Sequence, residues 1–135
     1  MLRDIVREDP RNPYAYYYMG TAMFEVGRFD AAADAYRAAL RISPTYLAAR
    51  VGLSHSLRIE GQLDEAIRQA RRVLDQVPGD GDALFALGLA LASNNDRVGA
   101  VRALEAFLQT HPELEVTLEA RAMLEKLGPI EQDEN

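Results

Sequence analysis

The sequence predicts an all-α fold, an α-solenoid in which antiparallel helix hairpins stack side by side. Three observations carry this. Proline recurs at Pro10, Pro44, Pro78 and Pro112, each 34 residues after the last. Ala32, Ala66 and Ala100 share that step, as do Gly20, Ser54 and Gly88, each preceded by Met19, Leu53 or Leu87. Within a unit, apolar residues recur three and four apart, which is the period of an amphipathic helix. A repeat of this length is one supersecondary unit that cannot bury its hydrophobic face alone, so successive copies must stack.

The first unit, residues 13–44, opens on a helix carrying Tyr16, Met19, Gly20 and Met23. Gly27 follows it, and Gly61 and Asn95 stand one and two periods further on. A left-handed residue that ends a helix is free of steric cost for Gly and tolerated by Asn, which explains why these three share a column. A second helix runs from about Phe29 to Ile42. Asp30 and Asp64 near the start of such helices suit the positive end of the helix dipole. Pro44 closes the unit, because proline cannot continue a helix and restricts the residue before it. Residues 47–78 and 81–112 repeat the pattern.

Two helices joined by so short a turn must lie antiparallel and close. Gly20 is expected to face Ala32 across the hairpin, so that Ala32→Leu would overpack it by roughly 1–3 kcal/mol. Tyr16, Phe29 and Tyr36 are expected to fill the space between successive hairpins.

The ends extend the array. Leu2, Ile5 and Val6 stand one period before Tyr36, Ala39 and Leu40. Residues 1–10 therefore read as the tail of another second helix, left from a longer array or serving as a half-repeat cap. Residues 115–127 read as a capping helix, which solenoids need over their last hydrophobic face. Its apolar contacts are expected from Leu118, Ala122, Met123 and Leu127, with Arg121 and Glu125 in water. Residues 1–127 thus make one solenoid domain, and residues 128–135 an acidic flexible tail.

Tyr16, Met19, Gly20, Ala32, Tyr36, Ala39 and Pro44 resemble the tetratricopeptide repeat, with its pattern of W-x2-L-G-x2-Y, then A-x3-F, then P. The second unit departs from it by carrying Arg50 and Ala70 where aromatics belong, and the third keeps Leu84, Leu87, Gly88, Leu91, Ala100, Leu104 and Pro112. The resemblance implies a right-handed superhelix of about three such units plus the cap, with the first helix of each hairpin lining a concave groove. It also implies a non-catalytic module that binds another protein.

Projecting the helical period onto that groove gives Tyr14, Tyr17, Tyr18, Thr21, Phe24 and Glu25 from the first unit. The second offers Ala48, Val51, Gly52, His55, Arg58 and Ile59, and the third Asp82, Phe85, Ala86, Leu89, Ala92 and Ser93. The cap adds Val116, Glu119, Ala120 and Met123. Tyr14, Tyr17, Tyr18, Thr21, Phe24, His55, Arg58, Phe85 and Leu89 are the candidate partner-binding residues, since exposed aromatic patches mark binding surfaces. The competing reading is that the rings pack on one another as core. Co-chaperone members of the family hold a peptide's carboxylates with Lys, Asn and Arg; here those places fall on Tyr17, Thr21, Gly52, Asp82 and Ala86. An apolar or aromatic peptide or helix fits such a groove better than an acidic tail. Self-association through the terminal helices, and service as the docking arm of a larger enzyme, are the alternatives.

Charge and composition exclude other classes. The formal net charge is −6, and the densest basic cluster, Arg68, Arg71 and Arg72, sits among Asp64, Glu65 and Asp75 as a solvated helix face. Nucleic acid is therefore not the expected partner. Fourteen of the fifteen basic residues are Arg, as in a GC-rich bacterial genome. No apolar run approaches membrane-span or signal-peptide length. The expected compartment is the cytoplasm, or the periplasm if a leader has been lost. The chain has no cysteine, and its two histidines, His55 and His111, stand too far apart in the array to share a metal. Ser54 occupies a small-residue column and reads as packing. Without a phosphate loop or a carboxylate pair at fixed spacing, neither enzyme nor cofactor is expected.

Overall fold

The computed structural model describes residues 9–110 and 116–130. Helices α1 (Pro13–Glu25) and α2 (Phe29–Ile42) form the first hairpin, α3 (Leu47–Ile59) and α4 (Leu63–Gln76) the second, and α5 (Gly81–Ser93) and α6 (Arg97–Thr110) the third. Helix α7 (Val116–Leu127) follows. No strand occurs among the described residues. Residues 1–8, 111–115 and 131–135 lie outside them, and with them most of the expected partial repeat and of the acidic tail.

Each hairpin turns by the same device. Gly27, Gly61 and Asn95 have φ of +81°, +82° and +62°. The amide after each donates back to the last turn of the helix: Arg28 to Met23 at 2.8 Å, Gln62 to Leu57 at 2.8 Å and Asp96 to Leu91 at 2.9 Å. The left-handed residue itself donates to the carbonyl three residues earlier. Together these satisfy carbonyls that a helix end leaves orphaned, in the Schellman arrangement.

The starts differ. Asn12 Oδ1 accepts from the amides of Tyr14 and Ala15, with Pro13 at the first helical position. Asp80 caps α5 and Asp96 receives the Gly99 amide in α6. Helices α2 and α4 lack a side-chain cap and carry Asp30, and Asp64 with Glu65, in their first turns instead.

Each helix packs on the next, and the first helices also touch, α1 on α3 and α3 on α5. The second helices do not approach one another as closely. The stack therefore curves, with the first helices on its inner wall. Leu53, Leu57, Leu104 and Phe107 are sealed in the core, each stabilising by about 1.5–3 kcal/mol.

One packing expectation is extended and one is corrected. The nearest neighbour of Gly20 is Tyr36, one turn beyond Ala32; a Cβ on Gly20 would lie 2.7 Å from Tyr36 Cε1. The small columns do meet, since a Cβ on Gly88 would lie 3.6 Å from the Ala100 carbonyl, but the tightest demand on the glycine comes from the large residue one turn further on. In the third hairpin Gly88 makes the same room for Leu104 Cδ2, at 2.6 Å. The second hairpin has Ala70 in place of that large residue, and its small column tolerates Ser54, whose hydroxyl donates to the Ala66 carbonyl at 2.8 Å. On α7, Leu118 is 74% exposed and Ala122 is also exposed, while Thr117 and Ala120 are buried. The helix is rotated so that Ala120 meets the cluster of Leu104 and Phe107, with Met123 and Leu127 beside it.

Candidate functional site

The inner wall begins with a tyrosine network. Tyr17 is at its centre, with ring centroids 5.3 Å from Tyr18, 5.9 Å from Tyr36 and 5.1 Å from Tyr46. Tyr14 meets Tyr46 edge-on at 5.4 Å. Such offset and edge-to-face pairs are the favoured aromatic geometries. Five of the six tyrosines of the chain thus form one connected unit at the first hairpin and its exit. Tyr36 is the anchor, buried at 4% exposure between Gly20 and Gly52. Burial raises its phenol pKa above the usual value, against a lowering hydrogen bond with Thr21. Tyr46 is raised by burial first, and then by Tyr17, Tyr18 and Tyr14. Both stay protonated at neutral pH.

The candidate residues fall into three groups. Tyr14 and Tyr18 stand out in water at 62% and 55% exposure. Tyr17, Phe24, Phe85 and Leu89 are half-buried, because each ring among them is packed within the fold: Phe24 on Phe29 at 5.0 Å across the turn, Phe85 on Phe107 at 5.4 Å. Thr21 is engaged internally: its hydroxyl donates to the Tyr17 carbonyl at 3.2 Å and lies 3.1 Å from the Tyr36 hydroxyl.

His55 and Arg58 form the polar centre of the wall. Arg58 Nη2 lies 3.4 Å from His55 Nδ1, and the imidazole centroid is 6.4 Å from that of Phe85. Burial, reinforced by the Arg58 charge, lowers the His55 pKa to about 4. The ring is therefore neutral at pH 7, and its Nδ1 accepts from the guanidinium. Burial also lowers Arg58, whose Nε–H has no partner among the described residues. No group of three metal-ligating side chains occurs among the described residues, and no helix among them is long and apolar enough to cross a membrane.

The wider projected stripe needs correction at Gly52, Ala86 and Ala120. Gly52 is pressed against the Tyr36 ring, and Ala86 and Ala120 are buried. These positions lie between adjacent hairpins, one step around the helix from the open wall. Tyr46 was not in the projection, since it precedes α3 and a helical period does not reach a loop residue. Its signal was its place two residues after Pro44 and two before Ala48, the first groove position of the second unit.

The tetratricopeptide repeat family model matches residues 13–46 and again 52–115. Protein CTR9 homolog of Arabidopsis thaliana is 33% identical over 101 residues, covering 74% of this chain and 9% of that protein. DnaJ homolog subfamily C member 3 of Homo sapiens is 29% identical over 99 residues, covering 73% of this chain and 20% of that protein. The chain thus spans only a small part of these relatives. Among solved structures, MamA from Desulfovibrio magneticus RS-1 superposes with a TM-score of 0.83 at 21% identity, over 98% of this chain and 72% of that one. YrrB, described as a TPR protein with an unusual peptide-binding site, gives 0.78 at 26% identity, over 90% and 62%. The first TPR of Spaghetti (RPAP3), bound to an HSP90 peptide, gives 0.78 at 17% identity, over 85% and 91%. With the repeat matched along most of its length, and seven helices in the register that the repeat dictates among the described residues, this chain belongs to the tetratricopeptide repeat family.

Proposed function

We propose that this protein is a non-catalytic interaction module whose inner wall takes an apolar or aromatic segment of a partner protein. The observation that carries the reading is the pair Tyr14 and Tyr18, more than half exposed yet seated on Tyr46 and Tyr17. Large rings held in place before a ligand arrives bury much area at little further entropy cost, which is the character of a binding hot spot. The half-buried Phe85 and Leu89 extend the apolar surface to the third hairpin, and the neutral His55 with Arg58 supplies polar contacts at its middle. Peptide binding by YrrB and by the RPAP3 domain is consistent with an interaction module.

The test is a peptide-display selection against the parent and a Tyr14→Ala, Tyr18→Ala variant. Enrichment of apolar or aromatic peptides on the parent, with loss on the variant, is the expected result. Equal enrichment on both would move the partner surface elsewhere. A stable dimer by light scattering at micromolar concentration, with no peptide enriched, would favour self-association instead.

A further inference from the structure

A second surface lies on a different face of α3. There, α2, the Pro44 turn, α3 and α4 enclose a cleft of about 350 Å³, lined by Arg37, Arg41, Arg50 and Arg72 around Leu40 and Leu53. Arg37 is answered by Glu65, whose two carboxylate oxygens both lie 3.2 Å from its Nη2. Arg41 and Arg72 are exposed and make no ion pair within 4.0 Å among the described residues. Arg50 is only 8% exposed. Its guanidinium is held by the Gln69 side-chain oxygen at 2.7 Å and the Pro44 carbonyl at 2.8 Å, and its Nε–H has no partner among the described residues.

A cation fixed at the floor, with two more at the rim, is an uncompensated charge in a chain that is acidic overall. Burial, and then the charge of Arg72, lower the Arg50 pKa, so the two guanidiniums are near enough to repel. An oxyanion between them would relieve that repulsion and accept charge-assisted hydrogen bonds. The shape says more. A second cleft of about 360 Å³ adjoins the first and shares Pro44, Arg50 and Arg72. Leu40 and Leu53 lie beneath the first cleft but are themselves almost wholly buried, so the groups offered to a ligand are chiefly the arginines, and the two joined clefts suit an extended segment better than a lone ion. Asp75 lines the second cleft and not the first and would repel a carboxylate there, so the acidic groups belong in the first, beside Arg41.

We propose that this cleft binds an extended acidic peptide segment of a partner protein, its carboxylates clamped by Arg41 and Arg72 above Arg50. This surface is separate from the inner wall and stands or falls independently of it. The probe is fluorescein-labelled Glu-Leu-Glu-Leu-Glu amide, read by fluorescence polarisation, beside the same peptide with Gln for every Glu. The acidic peptide should bind the parent, lose affinity as salt rises, and bind Arg41→Gln, Arg72→Gln at least about tenfold more weakly, as expected on removing two charge contacts. It should bind the Tyr14→Ala, Tyr18→Ala variant unchanged. Both arginines are exposed, so the variant should fold, which circular dichroism checks. The proposal is overturned if the Gln peptide binds equally well, or if the arginine variant retains full affinity. It is also overturned if affinity is lost on the tyrosine variant, which would put the peptide on the inner wall. Failure of the acidic peptide to bind likewise rejects it, and a melting temperature raised by inorganic phosphate alone would then show a small-anion site.

Discussion

The ring of Tyr36 lies flat against Gly52 of the next hairpin, and a Cβ on that glycine would come within 2.5 Å of Tyr36 Cζ. Gly20 receives the same ring from the other side, and the hydroxyl is held near Thr21. The ring has nowhere to go. Replacing a helical glycine by alanine ordinarily stabilises by about 1 kcal/mol. At Gly52 the overpacking should outweigh that gain, for a net loss of about 1–2 kcal/mol. Urea denaturation of Gly52→Ala measures it. Adding Tyr36→Ala should then cost less than the sum of the single changes, because removing the ring removes the clash.

Exposure and packing separate the aromatic residues into two kinds of outcome. Tyr14→Ala and Tyr18→Ala remove mostly solvated rings and should change stability by no more than about 0.5–1 kcal/mol. Tyr17→Ala should cost about 2–4 kcal/mol, because it opens the centre of the tyrosine network. Phe85→Ala, which loses its contact with Phe107, belongs with it. Thermal melts of the four variants check the order. If Tyr17→Ala melted like Tyr18→Ala, the network would not contribute to stability.

The contrast shows what could be read from the chain. The 34-residue columns dictate the hairpins because Gly, Ala and Pro act locally, through φ, small size and a missing amide. Helix faces were also legible, since Tyr14, Tyr18 and His55 all fall on the first-helix wall. What stayed hidden depends on contacts between repeats. That Gly20 must also accommodate Tyr36, whether Ala86 faces solvent or a neighbour, and whether Leu118 turns inward are set by the tilt of one element on the next. No single period encodes that tilt. The arginine cleft was illegible for the same reason: Arg37, Arg50 and Arg72 come from three helices and look, one by one, like ordinary surface charges.

The turn residues give a clean backbone test. A Cβ on Gly61 would meet nothing within 4 Å, yet its φ is +82°. Gly61→Ala should therefore lose about 1–2 kcal/mol from conformation alone. Asn95 holds the same place at φ +62° and already tolerates it. Asn95→Gly should stay within about 0.5 kcal/mol, the easier left-handed geometry being offset by a more flexible unfolded chain. Urea midpoints should shift for the first and not the second, with unchanged slopes.

His55 predicts the response to acid. Its pKa falls from 6.5 to about 4 on folding, through burial and then Arg58. Between those values the unfolded chain binds a proton that the folded chain does not. Stability is therefore intact above about pH 6.5 and declines as pH falls towards 4, by up to about 3 kcal/mol from this residue. Protonation would also set two cations against each other at the 3.4 Å His55–Arg58 contact. The groups facing the imidazole are Arg58 and the Phe85 ring, and neither offers a carboxylate to stabilise the charged form. Urea midpoints of the parent and of His55→Gln, taken from pH 7 to pH 4, isolate the effect. The parent should lose stability more steeply than the variant across that interval. Parallel curves would mean that the imidazole reaches water when protonated, and that the wall opens at this point.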